Sequence, residues 1–391
     1  MSFIVHSGWR QDPVGKAGTA HLVEHLTTKN VPGFSRRQLS EFFEEEGGSF
    51  FSGATKDFGT NYGCFLPIRG GMVARSLELW SSILLSAELT QRVEEERQAV
   101  LLERQENLSS EGQIRLHRRY VASLLAGTPL DGRGPELMGG PEIISGITAK
   151  DAQAFYDAHY TPANISIVTM GGLAPGTIVS MLEKSSLGGD KNGTRTLLPM
   201  FLADTPFPKE RIFQVSHREL FGAESDGTAS YRTHALIPGA FSDRAVAAAM
   251  DLLGEELFDK VRISRNWAYH IGASYERFGD FFDVGVRCGK LDYRGVDSID
   301  ALVSDVAKKV MKDAPSFMTK RARRLSARQL ADVSGNSVIL GCTEDILYHD
   351  RIISLREEIE LIAALTFEEV QEVLAYFIDE RRRWTCLVTP D

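Results

Sequence analysis

Two rhythms of apolar and polar positions run along the chain. Short alternating or continuous apolar runs predict strands at 3–6, 48–53, 60–66 and 164–170 in the first half. In the second half they predict strands at 211–215, 229–236, 268–275 and 281–287. Apolar residues spaced by three and four predict long helices at about 35–46, 70–87, 91–109 and 113–125, and GTIVSMLEKSSL reads as a shorter one. Strands mixed with helices, without a strict strand–helix–strand alternation, predict an α+β fold in which helices pack on largely antiparallel sheets.

The pattern repeats. EIISGITAKDAQAFY, from Glu142, and ELIAALTFEEVQEVL, from Glu360, align without a gap and share Glu, Ile, Thr and Gln at matching places. In each, a threonine (Thr148, Thr366) is placed to cap an amphipathic helix, and a β-rich run follows: NISIVTMGG in the first, RWTCLVTPD in the second. The expected organisation is therefore two homologous domains, residues 1–187 and 206–391. The linker is 188–205, which begins in the Gly-rich, polar stretch LGGDKNGTRTLLP.

Composition narrows the class. A chain of 391 residues suits two domains, and 43% hydrophobic with 25% charged residues is the balance of a soluble globular protein. No apolar run approaches the roughly 18–20 residues of a membrane span. The opening MSFIVHSGWRQDP lacks the pattern of a secretory signal, so the expected location is cytoplasmic, with no membrane partner. Cys64, Cys288, Cys342 and Cys386 are scattered, without CxxC pairs, and read as reduced thiols. A net charge of −9 and the absence of a basic stripe with interleaved aromatics argue against nucleic acid. The basic cluster 320–324 has helical spacing and reads as a solvated face.

AHLVEH, residues 20–25, carries the candidate chemistry. On a helix His21 and His25 lie one turn apart on one face, so both can give a nitrogen to one ion, and Glu24 flanks that face without being a ligand. Two histidines leave a tetrahedral zinc short of one protein ligand beside its open position, so a carboxylate must come from elsewhere. The glutamate-rich VEEERQAVLLERQEN, residues 93–107, can supply it. Glu96 and Glu103 are two turns apart on one face, so one can ligate while the other orients a ligand. A helical histidine pair is ambiguous by itself, and a glutamate-rich helix is ordinarily a solvated face. The combination carries the reading.

With these motifs the sequence resembles the pitrilysin/insulinase family of inverzincin zinc peptidases, in the subfamily of mitochondrial processing peptidase and its bacterial relatives. GTAHLVEHLTTK is similar to the family's G-x-A-H-x-x-E-H-x-x-x-K segment, Lys29 included, and ERQAVLLERQEN to its E-R-x-V-x-L-x-E segment. The resemblance implies Zn²⁺ held by His21, His25 and Glu103, with Glu96 behind them and Glu24 as general base. AGTPLDGRGPELMGGPEIISGIT and YTPANISIVTMGG resemble the loop, capped helix and closing strand that follow. LFDKVRISRNWAYHIGASY resembles a second-half segment that carries substrate-binding Arg and Tyr, here Arg262 and Tyr269.

Three departures stand out. The chain begins without the family's extra first strand, so the first sheet is expected either to lack an edge strand or to have that edge covered by another chain. Asn266 replaces an expected Gly, and the Gly-rich turn before Arg262 is reduced to LLGEELFDKV. The family's Asn-Ala on the substrate strand is replaced by Ser52-Gly53, while Thr55, Thr60 and Tyr62 fit. The resemblance implies a clam-like endopeptidase cleaving peptides or small precursor proteins. The substrate is expected to lie as an added strand beside Ser52, Gly53 and Ala54. It also implies a homodimer, or a heterodimer with a related subunit. The alternative from another class is a non-catalytic scaffold subunit that keeps the fold.

Overall fold

The computed structural model describes residues 1–45, 47–69, 71–107, 110–131, 138–189, 194–196, 202, 204–330 and 335–391. Much of the expected linker, and residues 132–137 of the loop before the first capped helix, lie outside the described residues. Among the described residues nine strands form two sheets: β1 (Ser2–Val5), β2 (Ser49–Thr55), β3 (Thr60–Phe65) and β4 (Ile165–Val168) in one; β5 (Ile212–Ser216), β6 (Ala229–Pro238), β7 (His270–Arg277), β8 (Phe281–Leu291) and β9 (Arg383–Thr389) in the other. Each predicted strand is present, with its ends shifted by a few residues at most.

The sheets repeat one topology. The first runs β2-β3-β1-β4 and the second β5-β9-β6-β8-β7, so β7-β8-β6-β9 reproduces the order of the first. All pairings are antiparallel except β5 with β9. Among the described residues the first sheet has no counterpart of β5. The two capped helices are also equivalent. Thr148 accepts from the Asp151 N–H and Thr366 from the Glu369 N–H, and each carboxylate accepts in return from its threonine's N–H at 2.8 Å.

The chain forms two compact units. The first comprises Met1–Asn107, Glu136–Leu198 and Val333–Ile352; the second comprises Leu108–Pro135, Pro199–Asp332 and Ile353–Asp391. In the first unit β1 is central and reads SFIV with every residue buried, because both faces of the sheet are covered. Alternation sorts its side chains. Phe3 and Val5 join a core with Leu22, Val23, Leu26 and Trp80, while Ile4 faces the other way onto Val168 and Leu347. Leu347 belongs to a helix, Gly335–His349, that comes from the second half of the sequence. In the second unit the helices Asp243–Leu257, Ile299–Val310 and Phe367–Ile378 bury an apolar face with β6 and β8. Among the described residues no helix is long and apolar enough to cross a membrane, and all four cysteines are free.

His6, just past β1, gives the first unit an acid sensitivity. It is buried, and its Nε2 lies 2.8 Å from Ser166 Oγ and 3.4 Å from Arg195 Nη2. Burial first, and the Arg195 charge second, push its pKa down to about 4, against the pull of Asp350. The unfolded chain then binds more protons between pH 6.5 and 4, so folding should weaken as pH falls through that window, by about 3 kcal/mol at the limit. Urea midpoints measured across the window should show this slope, and His6→Gln should flatten it.

Candidate metal centre

The histidines stand on the helix Thr19–Thr27, in the first unit. Leu22, Val23 and Leu26 are fully buried on its core side and fix its rotation. The opposite side presents His21, Glu24 and His25. The start of the helix is tied down from outside. The buried carboxylate of Asp12 accepts from Gly18 N–H at 2.6 Å and Ala20 N–H at 2.7 Å, serving as a cap that Gly18 cannot supply. Gly18 has φ +97°, and a Cβ there would meet the Met138 carbonyl at 2.8 Å, so glycine is required.

The glutamates stand on the helix Val93–Asn107, seated on the core chiefly by Val100. Their two-turn spacing brings them to opposite sides of one imidazole. Glu96 Oε2 is 3.3 Å from His25 Nδ1, and Glu103 Oε2 is 3.5 Å from His25 Nε2. Glu103 Oε2 also lies 3.4 Å from His21 Nε2. Glu96 is buried and shares its charge with Lys29, whose Nζ is 3.4 Å from Oε1. A Glu96 carboxylate accepting from Nδ1–H would leave the Nε2 lone pair of His25 facing His21 and Glu103.

The donor set fits a small divalent ion. The candidate ligand atoms of His21, His25 and Glu103 all lie within 4.8 Å of one another. A tetrahedral zinc with bonds of about 2.1 Å separates its ligand atoms by about 3.4 Å. The Glu103–histidine distances of 3.4 and 3.5 Å match that edge. Two imidazoles and one carboxylate leave the fourth position open, the composition of a catalytic zinc site. Among the described residues this is the sole such cluster.

Electrostatics mark the same residues. Burial alone would lower the His21 pKa, but hydrogen bonding to Glu103 and the charges of Glu24, Glu103 and Asp12 raise it. Contact with His21 leads in holding Glu103 below its ordinary value. Burial raises the Glu24 carboxyl above the ordinary range, although His25 and His21 pull it down. Glu24 Oε2 is 3.9 Å from His21 Nε2 and receives a hydrogen bond from Thr55 Oγ1 at 3.5 Å. Glu24 therefore borders the cluster from the side of β2. Gly53 and Ala54 lie on that strand with the Ser52 backbone, and β2 is an edge of its sheet.

Arg262 and Tyr269 are in the second unit and meet each other. The Arg262 guanidinium carbon is 4.6 Å from the Tyr269 ring centroid, and Nη1 donates to Asn266 Oδ1 at 3.1 Å. Tyr269 is largely exposed. Arg262 stands in a π-helical turn, Phe258–Ser264, that continues the helix Asp243–Leu257 through the stretch LLGEELFDKV, where the family's Gly-rich turn is reduced. Asn266 has φ +51°, a left-handed conformation that asparagine tolerates better than most residues, which explains its place at an expected glycine.

Asp12 was not singled out from the sequence, because an aspartate eight residues before Ala20 gives no local capping signal. Lys29 was read only as part of a motif; its contact with Glu96 emerges from the packing of two helices.

Two family models match the chain: Insulinase (Peptidase family M16) over residues 1–132, and Peptidase M16 inactive domain over residues 146–313. The cluster and Glu24 lie in the first match. The chain is 26% identical over 185 residues to the beta subunit of mitochondrial-processing peptidase from Caenorhabditis elegans, covering 47% of this chain and 39% of that protein. It is 22% identical over 391 residues to an uncharacterized zinc protease of Mycobacterium tuberculosis, covering 96% and 84%. Among solved structures, a protease from Helicobacter pylori superposes with a TM-score of 0.82 at 18% identity, covering 100% of this chain and 93% of that one. Pitrilysin superposes with a TM-score of 0.72 at 14% identity, covering 100% and 42%. At such identities the structural likeness establishes the fold.

Proposed function

The chain belongs to the M16 (insulinase/pitrilysin) peptidase family, and from that premise we propose that it is a zinc-dependent endopeptidase acting on peptides or small precursor proteins. The observation that carries this reading is the His21–His25–Glu103 triangle with the buried carboxylate of Glu24 beside it. In this proposal the three residues hold Zn²⁺. Bound there, zinc would supply Lewis acidity, lowering the pKa of a water and polarising a substrate carbonyl.

The chain's own groups do the rest. Glu24 accepts a proton from the attacking water and passes it to the leaving amine. Glu96, steadied by Lys29, fixes the ring of His25. An extended peptide pairs with the free edge of β2 near Ser52, Gly53 and Ala54, which gives affinity through the backbone with little sequence demand. Arg262 and Tyr269 are candidate substrate contacts of the second unit. A dimer, with itself or a related subunit, belongs to the same proposal, supported by a relative that is named as a subunit.

A second reading, a non-catalytic scaffold, draws on the inactive-domain match at residues 146–313. That stretch excludes His21, Glu24, His25 and Glu103, so the peptidase reading stands first. Metal removal separates the two. The purified chain should contain near one zinc, and a chelator should abolish cleavage of an unstructured peptide, with zinc restoring it. A chain that binds no zinc and cleaves nothing would favour the scaffold.

A further inference from the structure

We propose that Gly53 is a positioning residue for Glu24: its missing side chain, set in a bulge of β2, makes the seat in which the Glu24 carboxylate is held. The proposal rests on the peptidase reading above. β2 pairs with β3 from Ser49 opposite Phe65 to Phe51 opposite Gly63, and again from Ala54 opposite Asn61 to Thr55 opposite Thr60. Between these stretches Ser52 and Gly53 oppose Tyr62 alone, two residues against one, which is a β-bulge. Bulges bend a strand locally and re-aim what it carries.

The conformation at Gly53 is one that side chains avoid, with φ +153°. A Cβ at this position would stand 2.6 Å from Glu24 Oε1, 2.7 Å from Cγ and 2.8 Å from Cδ. Non-bonded carbon atoms approach to about 3.5–4.0 Å, so the carboxylate would have to move by about 1 Å. The obstacle is the Glu24 side chain and not a backbone, so an added methyl displaces the carboxylate, on top of the backbone strain that any side chain meets at this φ. The polar contacts of its Oε2 are long, Thr55 Oγ1 at 3.5 Å and His21 Nε2 at 3.9 Å. A general base displaced by that distance loses rate steeply, while zinc is held by other groups and an extended peptide pairs with the β2 backbone, not with a side chain at Gly53.

The test is Gly53→Ala in the zinc-loaded protein, with kcat and KM measured on an unstructured peptide. Zinc affinity is measured by chelator competition. The Kd of the same peptide is measured on the uncleaving Glu24→Gln protein with and without Gly53→Ala. The expected result is a fall of at least tenfold in kcat with zinc affinity within twofold of the parent, and with any rise in KM and Kd smaller than the fall in kcat. The fall should shrink or vanish in a Glu24→Asp background, because a carboxylate one methylene shorter withdraws from the added methyl. Parental kcat in Gly53→Ala overturns the proposal, and so does a loss confined to KM and Kd, which would make Gly53 a residue of the substrate strand only. If Gly53→Ala loses its melting transition or its zinc, Thr55→Val decides. A lower kcat at unchanged Kd supports a seat on β2, and parental kcat overturns it. Failure of the parent itself to cleave peptide or bind zinc would instead refute the peptidase reading.

Discussion

Glu24→Gln should leave zinc bound and abolish peptide cleavage. Glutamine keeps the size and most contacts of glutamate, so the packing against β2 and the helix survive. What disappears is the ability to accept a proton. A positioned general base contributes about 10²–10⁴ in rate, and kcat should fall by that order. The Glu24 carboxyl is buried and lies 3.9 Å from His21 Nε2, so no solvent base stands in its place. Metal analysis and single-turnover kinetics on one preparation give both readouts. Cleavage at the parental rate with a full complement of zinc would refute the assignment of Glu24.

His21→Ala should empty the site. Of the three proposed ligands, His21 is the most buried and lies 3.4 Å from Glu103 Oε2. Its removal leaves one imidazole and one half-exposed carboxylate, too few donors to hold zinc through dialysis. Zinc should drop from near one per chain to background, and cleavage should be lost with it. Zinc should also raise the melting temperature of the parent, since a ligand bound only to the folded state stabilises it, and should leave His21→Ala unmoved. Retention of stoichiometric zinc by His21→Ala would mean that the ion is held elsewhere.

The sequence disclosed much of this because its signals are local. Apolar periodicity located the strands, and the threonine caps at 148 and 366 located two equivalent helices, since both depend on residues a few positions apart. The i, i+4 spacing of His21 and His25 and the seven-residue spacing of Glu96 and Glu103 are likewise helical facts. The geometry of β2 was less legible. Gly53 could be read as a departure from a family pattern, but its function as a bulge residue against Glu24 depends on a register with β3 that one strand cannot specify. Asn266 was visible as an exception; its left-handed backbone supplied the reason.

Sequence alone therefore determined the element types, a repeated capped helix with its closing strand, and the candidate metal ligands, because short-range spacing on regular elements dictates which side chains share a face. Tertiary structure decided which side chains meet. It placed Glu96 and Glu103 on the two nitrogens of His25, brought Asp12 to the start of the histidine helix, and laid Gly335–His349 from the second half of the chain over the outer face of β1. Such meetings join residues far apart in the chain, and they follow from burying both faces of a sheet, a condition that no local pattern encodes.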